Sequence, residues 1–158
     1  MKQRYFSFLS VTMLIALLAM MTACKKDHKV VEDVFDDGSP RIVKYYSKEG
    51  PDAELKKETI YFKSGKKHME GNYKNNKREG KWTSWYDNGV IWSEGYYKDG
   101  LGHGERKAYY PNGKLRFQGM MENDKEVGVW QYYDENGSMV KEVDYDKTDA
   151  TDASQEIQ

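Results

Sequence analysis

The 158-residue chain is 38% hydrophobic, 14% aromatic and 32% charged, a composition that suits one domain whose apolar surface is mostly rings and weighs against a thick two-layer core. Its formal charge of −1, with basic and acidic side chains interleaved, is not the clustered positive field of a nucleic-acid-binding protein. Cys24 is the only cysteine, which excludes an intramolecular disulfide.

Residues 1–23 read as a secretory signal, with Lys2 and Arg4 as a basic start, Tyr5 to Met20 as an apolar stretch and Met21-Thr22-Ala23 as a small-residue exit before Cys24. This arrangement resembles a bacterial lipoprotein lipobox, with Met21 in place of the commoner Leu. The resemblance implies cleavage before Cys24, diacylation of its sulfur and a lipid-anchored protein of the bacterial cell envelope, at the outer membrane or cell surface. An uncleaved anchor is the alternative, since about 19 apolar residues just span a bilayer.

The stretch 24–34, CKKDHKVVEDV, is short and charged and reads as a tether. A repeat domain follows over 35–146. Gly71, Gly95 and Gly119 fall 24 residues apart, as do Gly80, Gly104 and Gly128, and as do Gly65, Gly89, Gly113 and Gly137. Such a period marks a repeat array. Asp37-Gly38, Ser64-Gly65, Asn88-Gly89, Asn112-Gly113 and Asn136-Gly137 predict five hairpin turns, because these residues tolerate positive φ. A wider first spacing places an unpaired loop near Gly50-Pro51-Asp52. Second turns are predicted at Asn75-Asn76, Asp99-Gly100 and Asn123-Asp124, so each repeat is two strands and two turns. The fold class is therefore all-β, an elongated single-sheet array of about five antiparallel hairpins. Residues 147–158 lack apolar periodicity and predict a disordered acidic tail.

Period-two alternation assigns the faces. Tyr61, Trp85, Tyr109 and Tyr133 share one column and are expected to face inward; Trp82 and Trp130 share another. Gly95 makes a slot that a ring from the neighbouring strand can cross. Glu70, Glu94, Gln118 and Glu142 form a polar row, read as a solvated face rather than a cation ladder. Arg106 stands where Trp82 and Trp130 predict a ring, which predicts a gap in the aromatic stripe. Val143 and Asp144 replace Gly95 and Tyr96, which predicts the end of the array.

The pattern G-x-Y-x-x-x-x-x-G-x-W-x-x-W-Y-x-N-G at Gly71 to Gly89 resembles the MORN repeat, in the 24-residue variant of bacterial lipoproteins. Chains of this kind are placed with the YwqK-like antitoxins of toxin-antitoxin systems. The resemblance implies a toxin as partner, while the residues themselves do not identify one, since fold does not fix activity.

The chain offers no constellation for catalysis: His28, His68 and His103 share no column, and no Cys pair or G-x-S-x-G elbow exists. The stretch Gly100 to Gly104, GLGHG, reads as a lengthened turn because it leads into a strand rather than a helix. The expectation is thus a non-enzyme with no cofactor and no metal, anchored to the membrane through Cys24 and binding an unknown protein partner. Tyr86 and Tyr110 are the partner-binding candidates, since alternation turns them away from Trp85 and Tyr109. A structural envelope lipoprotein that self-associates or contacts polysaccharide or lipid is the alternative.

Overall fold

The computed structural model describes residues 27–147. Ten strands follow one another: β1 (His28–Val34), β2 (Pro40–Tyr46), β3 (Leu55–Tyr61), β4 (Lys67–Lys74), β5 (Lys77–Trp85), β6 (Ile91–Lys98), β7 (Leu101–Tyr109), β8 (Leu115–Glu122), β9 (Lys125–Tyr133) and β10 (Met139–Asp144). They form one antiparallel sheet in strict sequence order, roughly 45 Å across at the usual strand spacing. The five predicted hairpins are β1–β2, β3–β4, β5–β6, β7–β8 and β9–β10. The predicted loop at Gly50-Pro51-Asp52 lies between β2 and β3, where the Ser47 N–H donates to the Glu54 carbonyl at 2.9 Å.

The stretch expected to be a tether is, from His28 onward, strand β1. Its charges have partners across the ladder: Lys44 reaches Glu32 at 3.2 Å, and Arg41 pairs with Asp33. Val31 stands opposite Val43, which is 1% exposed. A charged composition hid a strand because the charges are cross-strand pairs.

The two sets of turns divide the labour differently from the prediction. At Asn88-Gly89 the Gly89 N–H donates to the Tyr86 carbonyl at 2.9 Å and Tyr86 N–H to the Val90 carbonyl at 2.8 Å. Gly89 alone has positive φ there, at 90°. This is a longer hairpin loop closed by one left-handed residue. Both central residues are left-handed at the opposite end of the repeats, in Asn75-Asn76 (φ 52° and 60°), Asp99-Gly100 (52° and 91°) and Asn123-Asp124 (50° and 65°). Those are the two-residue turns whose twist matches a hairpin. The GLGHG stretch is one of these turns running into β7.

A single layer has little interior. The buried apolar side chains among the described residues are Val43, Trp82, Ala108, Met121 and Trp130. Trp82 lies opposite Gly71 on one side and Gly95 on the other. Trp82 and Trp130 donate their indole N–H groups to the carbonyls of Asn72 and Met120, each at 3.1 Å. The same packing therefore recurs 48 residues on.

The column Trp85, Tyr109 and Tyr133 does not face inward with these indoles. Trp82 and Trp85 are three residues apart along one strand, so they point to opposite faces. Thr83 pairs with Glu94, which puts the polar row on the Trp85 face. Accordingly the Tyr133 hydroxyl donates to Gln131 Oε1 at 3.0 Å. We call the two sides the indole face and the polar-row face.

Candidate functional site: an open place in the indole stripe

The indole face repeats one device. The Trp82 ring covers Gly71 so closely that a Cβ on that glycine would sit 2.1 Å from it, and Trp130 covers Gly119 with a corresponding distance of 2.2 Å. Each indole is flanked by side chains of a neighbouring column. Trp82 meets Tyr73 edge-on at 5.3 Å and Tyr97 at 6.1 Å between ring centroids, and Trp130 meets Tyr145 at 6.2 Å. The repeat between them has no ring at the equivalent position, 106. Arg106 stands opposite both Gly95 and Gly119, and the nearest atom to a Cβ on Gly95 is its Cγ at 3.9 Å. The predicted gap is present as a cavity of about 80 Å³ lined by Trp82, Gly95, Tyr97, Arg106 and Met121, with Arg78 at its edge.

Electrostatics distinguish the two guanidinium groups of this notch. Arg78 is engaged, with its Cζ 4.2 Å from the centre of the Trp82 ring and 5.4 Å from that of Tyr97. Arg106 is exposed and has no hydrogen-bond or ion-pair partner among the described residues. The notch thus combines an aromatic wall, a thioether, bare glycine backbone and the Arg106 cation, with the Asp124 carboxylate, which accepts the Gly102 N–H at 2.6 Å, also in its lining. Among the described residues no hydrogen bond joins its Ser84 or Ser93 hydroxyl to a base.

On the opposite side the polar row is closed by its own cations. Glu70 receives Lys57 and Lys67, each at 2.9 Å, and Thr59 Oγ1 at 3.0 Å. Burial works to raise the Glu70 carboxyl, but these donors outweigh it and hold the group below its ordinary value. Lys81 and Glu94 pair at 2.5 Å. Burial, with Glu94 adding to it, pushes the nearby Tyr109 phenol up. Among the described residues no group of three or more His, Cys, Asp or Glu side chains could hold a metal ion.

Tyr86 and Tyr110 occupy neither site. Both are half-buried, and their hydroxyls donate to the backbone carbonyls of Tyr109 and Tyr133, each at 2.9 Å. They join one repeat to the next. Asn88 and Asn112 make the same step, donating to the carbonyls of Pro111 and Glu135 at 3.1 and 2.9 Å, and Ser64 bonds Asp87. Cys24 lies outside the described residues. Of the notch residues, Arg106 and Gly95 were marked by the broken column. Tyr97 and Met121 stand at the same 24-residue spacing as Tyr73 and Tyr145, whereas the position of Arg78 over Trp82 had no signal in the spacing.

Comparison with protein-family profiles matches the MORN repeat variant at residues 56–75, 78–99, 102–123 and 126–147. The chain belongs to the MORN repeat variant family. Each matched MORN repeat is one hairpin, from β3–β4 to β9–β10, and the β1–β2 hairpin extends the sheet beyond them. The repeat at 102–123 is the one that carries Arg106. Such MORN arrays support a repeat-based binding module. No curated protein matches the chain. Among solved structures it is similar to TarM, in a mutant of the S. aureus protein with fondaparinux, alpha-GlcNAc-glycerol and UDP and in a second crystal structure. Identity is 14% over 73% of this chain in both, with TM-scores of 0.36 and 0.33. The chain spans 23% of the length of each.

Proposed function

We propose that this MORN-repeat chain is a non-catalytic protein-binding module, anchored in the bacterial cell envelope by lipid on Cys24 and presenting its indole face to a protein partner. The observation that carries the reading is the notch over Gly95. Aromatic and arginine side chains around a small concavity are the groups that concentrate binding energy in protein interfaces. The anchor is supported by the order of Lys2, Arg4, the apolar stretch and Met21-Thr22-Ala23-Cys24. Two acyl chains give stable attachment where one is marginal. The resemblance to YwqK-like antitoxins supports a toxin acting at the envelope as the partner.

The test places a photo-crosslinking residue at Ser93, which lines the notch beside Gly95, or at Lys66 on the far turns, in the full chain expressed in cells. A discrete protein adduct from position 93 and none from position 66 supports the reading. Adducts equal at both, or none at either, overturn it. Fractionation tests the anchor separately: Cys24→Ser should move the protein out of the membrane fraction.

The open edges favour one second reading. Among the described residues strand β10 ends the sheet, with Met139 and Val140 at 55% and 64% exposure, and β1 begins it, with Val31 and Val34 at 45% and 50%. Unpaired edges are templates for strand addition, which would suit an envelope element built from copies of itself. Size measurement of the purified chain across a dilution series separates the readings.

A further inference from the structure

We propose that the notch over Gly95 receives a flat aromatic side chain of the partner, which occupies the place that an indole of this chain occupies at Gly71 and Gly119. The proposal rests on the binding-module reading and names the group that the site recognises.

The array contains its own template for the occupant. At two of three equivalent places a ring lies across a glycine, between side chains of the column Tyr73, Tyr97, Met121 and Tyr145. At the third place the glycine is kept, although no ring of this chain needs it. Gly95 meets nothing closer than Arg106 Cγ at 3.9 Å, and a glycine inside a strand costs stability when nothing approaches its backbone. The flanking walls are kept as well, with Tyr97 on one side and Met121, 8% exposed, on the other. The cavity of about 80 Å³ accepts a single ring and little more.

Arg106 supplies the attraction that a ring from outside requires. A guanidinium is planar, weakly hydrated and stacks on aromatic faces. Arg78 already does so on Trp82. Arg106, without an ion pair among the described residues, is placed to cover an entering ring in the same way. The edge of Tyr97 meets the other side, in the geometry that Tyr97 adopts toward Trp82.

The experiment titrates N-acetyl-L-tryptophanamide into the isotope-labelled full chain in detergent micelles and follows the amide of Gly95. The parent should show a saturable shift at Gly95 and Gly119 and none at Gly38. Arg106→Ala should weaken the affinity about two- to fivefold, the factor an exposed cation–ring contact supplies. Arg106→Trp should abolish the shift while melting no lower than the parent, because the chain's own indole then fills the place. No saturable shift in the parent, or an unchanged affinity in a folded Arg106→Trp variant, would overturn the proposal. A protein adduct from position 93 that Arg106→Trp leaves intact would also overturn it, yet would leave the binding-module reading standing. Ligand binding at Gly95 with no protein adduct from any position would sink that reading and spare the ring-binding notch.

Discussion

The indole of Trp82 and the bare backbone of Gly71 form one packing unit: a Cβ on the glycine would meet the ring at 2.1 Å. The ring has nowhere to retreat, since it is 5% exposed and its N–H is held by the Asn72 carbonyl. Gly71→Ala should therefore cost about 1–3 kcal/mol, as overpacking does. Gly95→Ala, with only Arg106 Cγ at 3.9 Å, should be close to neutral or mildly stabilising. Chemical denaturation of the pair checks the contrast. Equal losses would mean that ring and glycine do not pack as a unit.

The tyrosine hydroxyls that bridge repeats should be separable from those that do not. Tyr86→Phe removes the bond to the Tyr109 carbonyl and should cost about 1 kcal/mol. Tyr109→Phe should cost little, since its hydroxyl has no hydrogen-bond partner among the described residues. Because repeat arrays couple through neighbours, the loss at Tyr86 should also raise amide exchange in β7. Matching melts for the two variants would remove the bridging role.

Acid should weaken the polar row. The Glu70 carboxyl is held below its ordinary value of 4.5 by Lys57, Lys67 and Thr59 against the opposing effect of burial. A depressed carboxyl stabilises the folded chain fully above its unfolded value, and that stability is lost as pH falls through the folded value. Unfolding free energy should thus decline as pH drops below about 4.5, and Glu70→Gln should flatten part of the decline. A variant with the parent's acid slope would contradict the assignment.

The left-handed glycine of the long hairpin loops should matter more than its neighbour. Gly113 has φ of 84°, where a side chain costs about 1–2 kcal/mol, so Gly113→Ala should melt lower than the parent. Asn76, at φ 60° in the two-residue turn, should accept glycine with no loss. A Gly113→Ala melt equal to that of the parent would contradict the loop geometry.

The period, the five hairpins and the break at Arg106 were legible because glycine and rings recur at fixed columns, and only backbone geometry imposes such a rule. The assignment of faces was less so. Alternation fixes which side a residue takes relative to its own strand, but joining two strands requires the register across the turn. The pairing of Thr83 with Glu94 put Trp85 beside the polar row rather than inside. The bonds of Tyr86 and Tyr110 were not legible for the same reason, because their partners are carbonyls one repeat away rather than neighbours in sequence. Strand β1 was missed because it lies outside the repeat and its charges imitate a linker.

Thermal unfolding of Arg106→Trp tests most directly the claim that the indole stripe has one unfilled place. If Gly95 is the vacant counterpart of Gly71 and Gly119, the new indole should drop into the notch between Tyr97 and Met121. The gain should be about 1 kcal/mol, or roughly 3–5 °C in a domain of this size. Its fluorescence should then be shifted toward that of a buried ring. A variant that melts lower than the parent, or whose added indole reports full solvent exposure, would contradict the account.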